Sequence, residues 1–389
     1  MSGEAARLID LVPADLRPLV PVHWHQFPPV QPLWNYSLGI VCALVCEYNI
    51  VCALVCVISL TANLTALYLF LRDRRLRTPS NMLIVNMTIA DLIMTTNHPL
   101  FVYNALSGGA WRLGPLACRA YGLLGAIGGL GSILSLTAIS WDRYRVIVLS
   151  LGAAPLTARR AAAVIAALWL YTLTFTALPL LGVGAYVPEG ILNSCTFDYL
   201  DRSPANVAYI WTCVTFFFAV PLAAICYFYF HIIRAVREHE RLLREQARRM
   251  SVTTLRSGSG AEQRRSLEVR IAKVALANVG VWALCWTPYC AVAALGASGR
   301  TALLTPLVSA LPALVAKTAC TYNPLVYALG HPRYRAALRA HLPRLARWAG
   351  ARPAAAAGGG SAATGRRRSE LTTVSSDTER RLQAVSYRP

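Results

Sequence analysis

Seven runs of predominantly apolar residues divide the chain, at roughly 50–71, 82–103, 119–141, 161–183, 207–231, 272–296 and 302–329. A helix that crosses a bilayer needs about 20 such residues, and lipid offers the backbone no partner, so each run must satisfy its own hydrogen bonds as a helix. Seven repetitions within 389 residues predict an all-α membrane protein, a seven-transmembrane helix bundle. Composition agrees: 14% of residues are charged, where a soluble domain carries about a quarter. A mean hydropathy of +0.45 excludes a single water-facing domain and equally a disordered chain.

The connecting segments predict the orientation, because short cytoplasmic loops carry the excess of Arg and Lys. Arg72, Arg74, Arg75 and Arg77 lie between spans one and two, Arg143, Arg145, Arg159 and Arg160 between three and four, and ten arginines from Arg234 to Arg270 between five and six. The opposite loops hold Arg112, Arg202 and Arg300. The N-terminus is therefore expected outside and the C-terminus inside. No basic, apolar and small-residue leader pattern opens the chain, so the first span is expected to act as the targeting signal. Residues 1–37 read as an extracellular segment, with Asn35-Tyr36-Ser37 as a glycosylation acceptor, 38–345 as the membrane domain with a short amphipathic cytoplasmic helix after the last span, and 346–389 as a disordered cytoplasmic tail. That tail carries Ser369, Thr372, Thr373, Ser375, Ser376 and Thr378 after three arginines, a pattern open to phosphorylation.

A net charge of +20 raises the question of nucleic acid. The arginines sit in loops and tail instead of among exposed aromatics on a stripe, which favours topology and anionic membrane lipid and argues against a nucleic-acid partner. The segment Ile40–Cys46 recurs unchanged at 50–56. Cysteines four apart share a helix face, yet no His or carboxylate stands at metal-ligand spacing, and no metal is expected. With both copies the first apolar stretch exceeds what a bilayer needs, so the first copy is expected to project toward the outer surface.

Lys317 lies near the middle of the last span, too deep for its side chain to reach water easily. The chain uses Arg for 36 of its 38 strong bases, so a lysine where a cation is most costly calls for a property of amines. A guanidinium stays charged, whereas a desolvated amine can lose its proton and attack a carbonyl. A buried cation paired with an unseen carboxylate remains the plain alternative.

The residues around it, Ala316-Lys317-Thr318-Ala319-Cys320-Thr321-Tyr322-Asn323-Pro324-Leu325-Val326-Tyr327, resemble the seventh helix of an opsin. Asp142-Arg143-Tyr144 at the end of span three, Cys285-Trp286-Thr287-Pro288 in span six, Asp91 in span two and Pro221 in span five are similar to the rhodopsin-like receptor family at the corresponding places. His23 to Pro29, His331 to Arg335 and Arg237-Glu238-His239-Glu240-Arg241 resemble the arthropod, rhabdomeric visual opsins coupled to Gq-class G proteins. The sequence departs from that group at Arg241, where lysine is common, and at Ala62, where glycine is usual.

The resemblance implies a light-sensing receptor, not an enzyme, holding retinal (11-cis-retinal or a hydroxylated variant) as a protonated Schiff base on Lys317. It implies Trp286 as a pocket wall, and an activation network of Asn63, Asp91, Asn323, Pro324 and Tyr327 around a sodium or water site or a merely structural polar cluster. Asp142, Arg143, Tyr144, His239, Glu240 and Arg241 would meet the G protein, with arrestin and a receptor kinase as further partners. Cys118 and Cys195, at the outer edge of the spans in an oxidising compartment, are expected to be bonded and to bring Glu189 over the pocket as counterion; a solvated loop acid is the alternative. Vertebrate opsins carry that carboxylate three residues after the Cys118 position, where this chain has Tyr121, neutral at physiological pH. Asp198 and Asp201 are expected to point outward. Asn97 stands where ultraviolet opsins carry lysine, which leans toward a visible pigment. The rival readings are a receptor for a diffusible ligand and a light-driven pump or transporter; the latter would need relay carboxylates along its path.

Overall fold

The computed structural model describes residues 7–29, 38–107, 110–149, 156–249 and 260–348. Among the described residues, seven membrane segments are built from nine helices: α1 Leu38–Arg72, α2 Pro79–Thr95 with α3 Asn97–Leu106, α4 Gly114–Ile147, α5 Ala158–Ala177, α6 Pro204–Val214 with α7 Val220–Arg249, α8 Gly260–Ala297 and α9 Pro306–Gly330. Two short helices follow, α10 Pro332–His341 and α11 Pro343–Trp348. Proline sets several starts. Thr78-Pro79, Thr305-Pro306 and His331-Pro332 each place proline at the first helical position, where no N–H is needed, while the Thr78 and Thr305 hydroxyls and His331 Nδ1 accept hydrogen bonds from the backbone N–H groups of Asn81, Val308 and Tyr334.

Prolines also explain where the spans depart from single smooth helices. The second breaks at Thr96, because Pro99 of α3 has no N–H to offer the Thr95 carbonyl. The fifth carries a π-helical stretch, Thr215–Ala219, immediately before Pro221. The fourth ends at Ala177 and continues as a 3-10 turn, Leu178–Leu181, earlier than residue 183. Helix α1 begins well before residue 50 and runs through both copies of the repeated segment. Among the described residues, five segments are long and apolar enough to cross a membrane on length and composition alone. The second is too fragmented, and the seventh is diluted by Lys317, Asn323 and three prolines.

Helix α4 is the axis of the bundle, packing against α2, α5, α7 and α8 and against a β-hairpin. A core of Leu69, Phe70, Leu83, Met87, Leu136 and Val279, among others, fills the end nearer α10. At the opposite end the hairpin, β1 Tyr186–Glu189 and β2 Ser194–Phe197, pairs antiparallel with Glu189 opposite Ser194. Apolar patterning of the spans gave no sign of this hairpin. Gly190 in its turn has φ +58°, and a Cβ there would meet the Pro306 carbonyl oxygen at 2.9 Å, so the turn needs glycine. The N-terminal 3-10 turns over residues 8–26 lie on the same end: Leu8, Leu16 and Trp24 are fully buried with Trp111 and Leu192, and His23 Nε2 lies 2.8 Å from the Leu304 carbonyl oxygen.

Asp198 corrects the expectation that it points outward. It is partly buried and accepts hydrogen bonds from the Leu200 and Asp201 backbone N–H groups, whereas Asp201 is exposed. Asn35 and the tail sites Ser369, Thr372, Thr373, Ser375, Ser376 and Thr378 lie outside the described residues.

Candidate functional site

A small cavity of about 40 Å³ lies between α4, α8, α9 and β2, lined by Gly122, Gly125, Phe197, Trp286, Tyr289 and Lys317 among others. Small residues on α4 make the room. A Cβ at Gly129 would sit 2.5 Å from the Trp286 indole, and one at Gly122 would sit 2.4 Å from the Tyr186 ring. Trp286 is in turn stacked on Trp282, with ring centres 5.5 Å apart.

Lys317 projects from the middle of α9 into this space, and its Nζ lies 3.3 Å from Glu189 Oε1. The disulfide between Cys118 at the start of α4 and Cys195 in β2 ties the hairpin down. Pro188 faces Cys195 across the strands, and Glu189, the next residue, is 1% exposed beside Lys317. Ser194 Oγ donates to Glu189 Oε1 at 3.4 Å, while Oε2 has no partner among the described residues. Burial pushes the Glu189 carboxyl above the ordinary carboxylate range, against the opposing pull of Lys317 and Ser194. The Tyr121 and Tyr289 rings flank the ammonium at 5.7 and 6.0 Å, within cation–π range. Tyr289 and Thr196 share a hydrogen bond. Asn97 does not line the cavity; its Nδ2 donates to the Tyr121 carbonyl at 3.1 Å. His98 Nε2, unforeseen in sequence, lies 3.3 Å from the Lys317 carbonyl oxygen.

Below the cavity, Asp91 is 1% exposed and accepts from Ser132 Oγ at 2.6 Å and Asn323 Nδ2 at 2.7 Å. Asn63 joins differently from the expected trio. Its amide donates to the Ser59 and Cys320 carbonyls, so it bridges α1 to α9 without touching Asp91. Tyr327 is buried one turn below Pro324, donating to Met87 Sδ at 3.9 Å.

At the α10 end of α4, Arg143 is hydrogen-bonded by both Asp142 and Glu268 of α8. Glu268 was missed from sequence, though an acid in the arginine-rich approach to span six was the available signal. Tyr144 packs among Tyr227, Phe228 and His231 of α7. His239, Glu240 and Arg241 lie along the extended α7, with Arg241 exposed and paired to Glu238 and Glu245.

Residues 62–327 match the sequence model described as 7 transmembrane receptor (rhodopsin family). The chain belongs to that family. It is 41% identical over 341 residues to the compound eye opsin BCRH2 of Hemigrapsus sanguineus, covering 87% of each chain. It is 39% identical over 374 residues to a rhodopsin of Cataglyphis bombycina, covering 96% of this chain and 92% of the relative. The fold matches a crystal structure of squid rhodopsin with a TM-score of 0.74 and 31% identity, over 86% of this chain and 92% of that one. Within the rhodopsin family it therefore stands with the invertebrate visual opsins, multi-pass membrane receptors and not enzymes.

Proposed function

We propose that this opsin is a light receptor that carries retinal on Lys317 as a protonated Schiff base and activates a Gq-class G protein. The observation that carries the reading is the Lys317–Glu189 pair, a single amine facing a buried carboxylate at the end of an aromatic-walled cavity. Condensation of the Nζ amine with an aldehyde, releasing water, is the chemistry such an amine offers. The cavity's mostly apolar lining with Lys317 at one polar end suits a long apolar aldehyde. Retinal bound there supplies light absorption and a change of shape on isomerisation.

The chain's own residues do the rest. Glu189 supplies the negative charge that keeps a cationic nitrogen favourable away from water. Trp286, held by Gly129 on one side and Trp282 on the other, takes up a change of shape in the cavity, and Pro288 two residues along loosens α8. Movement of α8 would separate Glu268 from Arg143 and free the arginine for the G protein. The arginine-rich loops are read as cytoplasmic, with arrestin and a receptor kinase acting on the Ser/Thr tail.

Purification with 11-cis-retinal followed by absorbance in the dark and after illumination tests the reading. A dark band that shifts or bleaches in light supports it; absence of any band overturns it. Borohydride reduction and peptide mapping should place the adduct on Lys317, and an adduct on Lys273 would reassign the site. Reconstitution with purified G proteins tests coupling separately, and activation of only the Gi or Gs class would refute Gq.

A further inference from the structure

The break at Thr96 turns the second span so that the first two residues beyond it, Asn97 and His98, reach different neighbours. Asn97 Nδ2 donates to the Tyr121 carbonyl of α4, and His98 Nε2 lies 3.3 Å from the Lys317 carbonyl oxygen of α9. Those two peptide groups carry the ring and the amine that meet in the pocket, where the Tyr121 ring stands 5.7 Å from Lys317 Nζ. The start of α3 is therefore a bracket with one arm on each of them.

A carbonyl oxygen only accepts, so His98 Nε2 carries a proton and donates it. Cys320 Sγ donates to the same carbonyl at 3.2 Å, but a thiol is a weak donor. His98 is thus the stronger side-chain donor on the peptide group from which the amine projects. A buried histidine on a backbone carbonyl is commonly a clamp between helices and no more. Here the ring is 8% exposed and its Nδ1 has no partner among the described residues. A half-satisfied polar ring costs free energy that an apolar side chain would not. The one bond the ring does make falls on the residue that bears the amine, and its neighbour's falls on the residue that bears the flanking ring.

We propose that His98 is a positioning residue for the Lys317 amine: its hydrogen bond fixes the peptide group of Lys317 and so holds Nζ opposite Glu189. The consequence for a pigment rests on the retinal reading above; the bond itself does not.

Lysine occurs twice in the chain, at 273 and 317, so lysine labelled with carbon-13 at the carbonyl marks two peptide groups, and K273R leaves that of Lys317 alone. Infrared spectra of the ligand-free protein then read the hydrogen bond directly. His98→Phe, similar in size without a donor, should move the labelled amide band to higher frequency. His98→Gln, which carries an N–H at a similar reach, should return most of that shift. With 11-cis-retinal, His98→Phe should weaken the hold of the Schiff base on its proton about tenfold, read as a shift of one pH unit in titration of the visible band. His98→Gln should recover it. His98→Met, narrower and equally without a donor, makes the same comparison should the Phe variant not fold.

Asn104→Ala is the control for stability alone. Asn104 is fully buried on the same helix, donates to the Leu100 carbonyl and accepts from the Arg112 N–H. Its loss should lower the melting temperature and leave both the amide band and the titration in place. An unshifted amide band in the Phe and Met variants overturns the bond. A shifted band with a titration that overlays the parent reduces His98 to a clamp and overturns its positioning role. A parent that forms no pigment overturns the retinal reading instead, and with it the consequence drawn for the Schiff base.

Discussion

Lys317 Nζ and Glu189 Oε1 stand 3.3 Å apart although 128 residues separate them in sequence. The lysine is fixed by α9, the carboxylate by a hairpin that a disulfide holds against α4. Charge, cavity and loop therefore form one unit, and disturbing any of them should be read at the others.

Glu189→Gln should lower the pH at which the pigment loses its Schiff-base proton. The neutral amide keeps the shape and removes the compensating charge, so visible absorbance should move to the near ultraviolet at neutral pH. Tyr121→Phe should give a smaller shift, because the ring 5.7 Å from Nζ is retained. A pH titration of the Gln variant that overlays the parent would place the counterion elsewhere.

Cys118→Ser and Cys195→Ser should each cut folded yield, since loss of a native disulfide typically costs about 2–5 kcal/mol. The double variant should be no worse than either single one. Yields measured after purification check this, and additive losses would contradict the bond between Cys118 and Cys195.

Gly129→Ala should disturb the cavity through Trp286, whose indole lies 2.5 Å from where the new methyl would stand. The expected result is slower or weaker pigment formation with little change in the fold. Gly280, around which nothing lies within 4 Å of an added Cβ, is the control: Gly280→Ala should behave as the parent.

His331 gives a pH dependence with a definite sign. It is 1% exposed, its Nδ1 accepts from the Tyr334 N–H, and burial together with Arg333, Arg143 and Arg270 lowers it to about 4. The unfolded chain takes up that proton near pH 6.5 and the folded chain does not, so stability is lost as pH falls through the interval between the two. At pH 5 the loss should be about 2 kcal/mol. Thermal denaturation at pH 7.5 and 5, compared with His331→Asn, which can still cap α10, should show a shallower fall for the variant.

Glu268→Gln should weaken the hold on Arg143 and raise signalling in the dark, because the guanidinium then keeps Asp142 as its one charged partner. Nucleotide exchange on a purified G protein without illumination measures it. Dark activity equal to the parent would show that the α4–α8 contact does not restrain the receptor.

The seven spans, the buried amine and the polar positions in the helices were legible in the sequence because lipid makes each helix satisfy its backbone locally, so an apolar run or an intrusive Lys317 announces itself within about 20 residues. The helix starts obey equally local rules, since Pro79, Pro306 and Pro332 each act on their own turn. What tertiary structure alone decided are relations between segments. The hairpin that carries Glu189 to the amine has four-residue strands too short and too mixed in character to show a period. The redirection of Asn63 to the Cys320 carbonyl, the closure of Glu268 on Arg143 and the meeting of Asp73 with His341 depend on how helices pack. No local rule contains those distances, because a side chain reaches whichever partner the bundle brings within about 3 Å.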